Sequence, residues 1–134
     1  MIYIFDIDTV VLYYYTWYMI KKDTCIAYKG LKYTIEWYFN QKGKSQAFEY
    51  YSALTPVERR KVLMLFKRIG DFGKINDKTK FRNERDKIYA FKPQPSRFLS
   101  FFIEGRKIVV TNAFKKKSNK LPKNEKTKAM DYRI

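Results

Sequence analysis

The stretch KIYAFKPQPSRFLSFFIEGRKIVVTNAFKKK, residues 87–117, decides the fold. Lys87 to Lys92 is a short apolar and aromatic run that suits a pleated, half-buried surface, and the Pro93 to Pro95 loop interrupts it because proline cannot donate to a ladder. Arg97 to Ile103 and Lys107 to Phe114 are two further apolar runs, joined at Glu104-Gly105 in the manner of a tight hairpin. Together they predict an antiparallel meander. In a meander the end of one strand lies beside the start of the next, so Lys92 and Arg97 become neighbours. Phe114 to Lys117 then returns to the edge where Arg97 begins. With Arg82 and Arg85 ahead of the first run, several cations converge on one end of one sheet. Such a cluster suits a phosphate backbone and the extra negative charge of a pentacovalent phosphate.

Upstream, KYTIEWYF (residues 32–39) alternates Tyr33, Ile35, Trp37 and Phe39 with Lys32, Thr34, Glu36 and Tyr38, the period of a half-buried strand. After the polar loop NQKGKS, Ala47, Phe48, Tyr51 and Leu54 fall at helical spacing. Thr55-Pro56-Val57-Glu58 announces a second helix, with Thr as N-cap, Pro at the first helical position and Glu three residues after the cap. That helix carries Val62, Leu65, Phe66 and Ile69 on one face, and Gly70 and Gly73 are expected to end it. Downstream of KKKSNK, Leu121-Pro122 opens a polar helix. The expected fold class is α+β, with two N-terminal helices packed on a small, mainly antiparallel sheet and a short C-terminal helix.

Charge narrows the function. Among 134 residues, 29 Lys and Arg stand against 13 Asp and Glu, a formal charge of +16, while 46% apolar and 19% aromatic content is enough to fill a core. The cations therefore lie on a folded surface, where nucleic acid or an acidic membrane is the usual partner. They are not spread evenly. Residues 1–30 hold three Lys and three Asp and sum to zero, so the whole surplus lies in residues 31–134. The absence of histidine removes the usual general base and the commonest metal ligand, and one cysteine, Cys25, excludes an intramolecular disulfide and a cysteine-based zinc site. No metal site and no cofactor are expected, and the chain is expected to be cytoplasmic. Residues 1–30 form an atypical apolar extension. Two aspartates precede its apolar run where a signal peptide wants cations, and the charge-free part, Thr9 to Ile20, is 12 residues, too short to span hydrocarbon as a helix. No membrane role is expected.

Two motifs carry family likenesses. Ile4-Phe5-Asp6-Ile7-Asp8-Thr9-Val10-Val11 resembles the first motif of haloacid dehalogenase-like phosphatases, in which two aspartates serve as nucleophile and general acid/base beside Mg²⁺. The remaining parts of that site are missing: Gly70-Asp71 with Asp77 follows a basic helix instead of an apolar strand. Two aspartates at a strand end by chance is the preferred reading of that motif.

The broader likeness runs from Lys32 to about Ala129. FRNERDKIYAFKPQPSRFLSFFIEGRKI followed by VVTNAFKKKSNKLPKNEKTKA resembles the HigB/RelE superfamily of toxins from type II toxin–antitoxin systems, in its phage-derived HigB-like branch. The shared pattern is a strand, a loop ending in Arg, an apolar strand, a Gly turn, an apolar strand ending in Phe with cations, and a Pro-led helix. The resemblance implies a RelE-like fold over residues 31–134, with residues 1–30 lacking a counterpart and read as an upstream extension. It implies a metal-independent endoribonuclease that cleaves mRNA in the ribosome, uses the RNA 2′-hydroxyl as nucleophile and so inhibits translation. A neighbouring helix-turn-helix antitoxin of the HigA-like kind would silence it. Carried over residue by residue, Arg97, Lys116 and Lys115 are the catalytic cations, and Lys92, Arg82 and Lys117 hold RNA. A lysine that moves protons needs its pKa lowered, and clustered cations push that way. Members often place a Tyr or His near the C-terminal site, and KKKSNK offers neither. The rival reading is a non-catalytic basic module of the same fold that binds RNA or antitoxin.

Overall fold

The computed structural model describes residues 25–133. Asp6 and Asp8, and with them the phosphatase-like motif, lie outside the described residues. Strand β1 (Ile26–Lys29) and strand β2 (Thr34–Trp37) come first, followed by helix α1 (Gln46–Ser52) and helix α2 (Pro56–Phe72). Then come β3 (Phe81–Asn83), β4 (Tyr89–Phe91), β5 (Ser96–Ile103), β6 (Lys107–Lys115) and helix α3 (Lys123–Tyr132).

Local sequence explains these elements. Ile35 and Trp37 are the buried half of the alternation in β2. The Ser45 hydroxyl caps α1 by accepting from the Phe48 N–H at 3.2 Å. At α2 the capping box closes in both directions: Thr55 Oγ1 accepts from the Glu58 N–H at 3.2 Å, and the Thr55 N–H donates to Glu58 Oε1 at 3.1 Å. Val62, Leu65, Phe66 and Ile69 are the buried stripe of α2. The helix ends at Gly73, whose φ of 82° lies in the left-handed region that favours glycine. Gly70, expected to share in ending α2, lies inside it and serves a different purpose. A Cβ on Gly30 would stand 2.2 Å from the Gly70 carbonyl carbon, and one on Gly70 would stand 2.8 Å from Tyr28 Cδ2. The glycine pair lets the 30–33 loop lie directly on the last turn of α2, where Gly70 O accepts from the Lys32 and Tyr33 N–H groups at 2.7 and 2.9 Å.

The architecture corrects the expectation of two N-terminal helices on a small, mainly antiparallel sheet. Two strands precede the helices, and among the described residues the strands form one six-stranded mixed sheet in the order β1-β2-β6-β5-β4-β3. The meander β4 to β6 is antiparallel as expected and gains β3 as a further antiparallel strand, but β2 lies parallel to β6, with Ile35 beside Ile108 and Trp37 beside Val110. Alternation in a sequence marks a strand without naming its neighbour. Without β2 the outer edge of β6 would be an unpaired row of donors and acceptors, and β2 itself closes it. Strand β1, within the stretch read as an extension, pairs antiparallel with β2 through Tyr28 beside Ile35 and Lys29 beside Thr34. The α+β class itself holds.

Helices cover both faces of the sheet. On one, α1 and α2 bury Trp37, Phe66, Phe91, Phe98 and Ile108, with the Trp37 ring 5.5 Å from that of Phe66. On the other, Ala129 of α3 sits among Ile88, Ala90, Leu99, Phe101 and Val109. Helix α3 is tied to β6 by Asn112, whose Nδ2 donates to Glu125 O at 3.1 Å and to Glu125 Oε2 at 2.8 Å.

One irregularity positions the site. Leu99 faces Asn112 across the β5–β6 ladder while Ser100 faces Val110, so Thr111 is an extra residue in β6. Its hydroxyl is absorbed internally, donating to Asn112 Oδ1 at 2.6 Å with Leu99 O as an alternative acceptor at 3.2 Å. Because side chains alternate with period 2, one extra residue moves everything after it to the opposite face. Val109 lies on the α3 face before the bulge, and Asn112 and Phe114 lie on it afterwards.

Candidate functional site

The bulge decides which cation at the end of β6 meets Arg97. Lys115 pairs with Ser96, whose hydroxyl shares a 2.8 Å hydrogen bond with the Tyr50 hydroxyl of α1. Lys115 therefore points to the α1–α2 face, where it is exposed and its charge reaches Glu58. Lys116 falls on the other face, its N–H bonded to Pro95 O at 2.8 Å. There it lines a pocket with Glu84, Ala90, Lys92, Arg97 and Phe114. The 117–122 loop, from Lys117 to Pro122, closes one side.

Of the six sequence-derived positions, the structure brings four to this pocket: Arg97, Lys92, Lys116 and Lys117. Arg82 stands beside it on the same face, opposite Ala90 in the β3–β4 ladder, exposed and close enough for its charge to act on Lys92. Lys115 is on the far side of the sheet.

Arg97 is the fixed point. Only 9% exposed, it has its guanidinium anchored by a hydrogen bond from Nη1 to Ser96 O at 3.0 Å. Burial lowers its pKa and Glu84 pulls it back up, but an arginine remains charged in a protein. It is a preorganised cation whose orientation is already set. Lys92 is the adjustable group. Burial lowers its pKa first, and the charges of Arg97, Arg82 and Lys116 lower it further, against an opposing pull from Glu84. The net displacement is downward, toward the range in which an amine can exchange protons.

Glu84 is the residue that sequence reasoning missed. Its Oε1 lies 3.8 Å from Lys92 Nζ, with side chains 15% and 13% exposed, so the cationic pocket contains one carboxylate. In sequence it sits in RNERDK, which reads as a solvated mixed-charge turn. The β3–β4 register supplies the missing information. Glu84 follows Arg82 by two residues and bonds through its N–H to Ile88 O at 2.8 Å, which turns its side chain to the α3 face. Tyr132, a neighbour of the C-terminal loop in sequence, instead stacks on Tyr38 with ring centroids 4.6 Å apart. Asp71 and Asp77 are occupied by their own neighbours: Asp71 by Tyr28 and Lys67 at 2.8 and 2.9 Å, Asp77 by Thr79 at 2.6 Å. Among the described residues no helix is long and apolar enough to cross a membrane, and no group of His, Cys, Asp and Glu could hold a metal ion.

A family model described as "Phage derived protein Gp49-like (DUF891)" matches residues 49–133, which takes in both main helices from within α1 onward, the whole meander and α3. The chain belongs to the Gp49-like family. This family is linked to RelE/HigB-like toxins, which agrees with a toxin of a toxin–antitoxin system and with an antitoxin as partner. No curated protein matches the chain. The Gp49-like region contains every residue of the pocket, whereas β1 and β2 precede it.

Proposed function

We propose that this Gp49-like protein is a HigB/RelE-type toxin that cleaves mRNA in the ribosome, in the cytoplasm, without a metal. The observation that carries the reading is the meeting of Arg97, Lys92 and Lys116 in one pocket from three separate strand ends. In the proposed reaction the RNA 2′-oxygen bonds to phosphorus and the bond from phosphorus to the 5′-oxygen breaks. The products are a 2′,3′-cyclic phosphate and a free 5′-hydroxyl. Arg97, buried and held by Ser96 O, faces the phosphate oxygens, where negative charge builds up. Lys92, its ammonium disfavoured, accepts the 2′-hydroxyl proton as a neutral amine. Lys116 donates to the departing oxygen and, with Lys117 and Arg82, holds the flanking backbone. A helix-turn-helix antitoxin of the HigA-like kind is the proposed silencing partner.

Arg97→Ala and Lys116→Ala test this directly. Induction of the wild-type chain should arrest growth and shorten ribosome-bound mRNA, and both variants should abolish this while still binding antitoxin. A wild-type chain that leaves mRNA intact while retaining RNA or antitoxin binding would establish the non-catalytic module instead.

A further inference from the structure

A second basic cavity lies at the opposite end of the sheet. It is a cleft open to solvent, of about 480 Å³, lined by Lys32, Tyr33, Phe72, Gly73, Lys74 and Arg106. That volume falls within the range of roughly 300–1,000 Å³ typical of small-ligand clefts. Three segments distant in sequence are bound together to make it. The 30–33 loop is hydrogen-bonded to Gly70 O at the end of α2, and the Thr34 N–H donates to Arg106 O at 2.9 Å, which ties the β5–β6 turn to the start of β2. The Lys32 side chain crosses Gly73 so closely that a Cβ there would stand 3.1 Å from Lys32 Cδ. This framework holds three cations and two aromatic rings around one hollow.

Two features of the cavity have no role in the fold. Among the described residues no ion pair engages Lys32, Lys74 or Arg106. Lysines at the end of α2 complement its dipole, but that does not account for Arg106 on a different turn. Phe72 is 65% exposed on the cavity wall. Tyr33 presents a second ring, fixed edge-on to Phe102 at 5.2 Å. Unneutralised cations beside an exposed aromatic face are what a nucleotide requires, with its phosphate on the charges and its base on the ring.

We propose that this cavity is a second single-stranded RNA subsite, in which Lys32, Lys74 and Arg106 hold phosphate and the exposed ring of Phe72 stacks a base. The run of β5 from Arg97 to Ile103 puts it roughly 20 Å from Arg97, so it engages a different part of the RNA from the bond to be cleaved. The inference rests on the RNA-binding half of the proposed function and is independent of cleavage.

The test uses the full chain carrying Arg97→Ala, which keeps the probe intact, and follows a fluorescent oligouridylate by anisotropy at several salt concentrations. Adding Phe72→Ala should weaken binding roughly tenfold, and Phe72→Trp should restore it. Adding Arg106→Ala should flatten the slope of log affinity against log salt by about 0.7. Phe72 is exposed, so an unchanged thermal melt is expected to show that folding is intact. Affinity and slope unchanged from the Arg97→Ala parent in both variants would overturn the proposal, as would a loss confined to antitoxin binding. If the wild-type chain never cleaves mRNA yet Phe72→Ala still loses RNA, the enzyme reading fails and the subsite stands. If cleavage occurs and Phe72→Ala binds normally, the subsite fails alone.

Discussion

Glu84→Gln should lower the stability of the protein and raise its affinity for RNA. The carboxylate lies 3.8 Å from the Lys92 ammonium, and both side chains are mostly buried. Unit charges at that distance attract by about 4.4 kcal/mol at an effective dielectric of 20 and about 1.1 kcal/mol in bulk water. Lys92 limits the loss, because a lysine whose pKa is already lowered can release its proton instead of remaining an unpaired buried charge. The expected cost at pH 7 is about 1–3 kcal/mol, below the ~3–5 kcal/mol of a fully buried pair that loses one partner. The sign with pH follows from linkage. Lys92 titrates below its ordinary 10.5 in the folded state, so between that lowered value and 10.5 the unfolded chain holds more protons and stability rises with pH. Without Glu84, Lys92 drops further and the rise begins earlier, so the deficit of the variant should narrow from pH 7 toward pH ~10. Removing the carboxylate also leaves the pocket one negative charge poorer, which should strengthen phosphate binding roughly tenfold at low salt. Urea titrations at several pH values measure the first effect, and anisotropy with labelled RNA in an Arg97→Ala background measures the second. A deficit that stays constant with pH, or weaker RNA binding, would refute this account of the pocket.

Three further outcomes are expected. Lys116→Ala should reduce mRNA cleavage at least tenfold and Lys115→Ala should leave it near wild type, because the Thr111 bulge puts the two side chains on opposite faces; equal losses in a primer-extension assay would contradict that placement. With Lys92 as proton acceptor, the cleavage rate at low substrate should climb with pH and level off below 10.5, whereas Lys92→Arg should remove that rise, since arginine keeps its proton; a single-turnover pH profile decides. Gly70→Ala would place a methyl 2.8 Å from Tyr28 Cδ2 and 3.2 Å from Tyr33 O, so it should cost about 1–3 kcal/mol in chemical denaturation, against the small gain that alanine usually brings inside a helix.

Local chemistry made much of this protein legible before any coordinates. The Thr55-Pro56-Val57-Glu58 run closes as a capping box, β2 buries the alternate residues Ile35 and Trp37, and the meander from β4 to β6 pairs antiparallel. Each of these depends on residues close together in the chain, whose spacing alone sets which side is apolar. Charge accounting likewise put the cations in the part of the chain that holds the pocket.

Relations across the sheet were beyond its reach. The parallel pairing of β2 with β6 depends on which edge remains open after distant segments have packed. Glu84 becomes a pocket residue only when the β3–β4 register turns it toward Lys92, and RNERDK looks the same on paper whether its glutamate is solvated or buried. The choice of Lys116 over Lys115 depends on a single extra residue in β6, because a pleated strand reverses its faces with every residue and no composition or motif records where a bulge falls. Composition and periodicity thus specified which residue types were available and which elements carried them. The packed sheet selected which cations share a pocket and set a carboxylate among them.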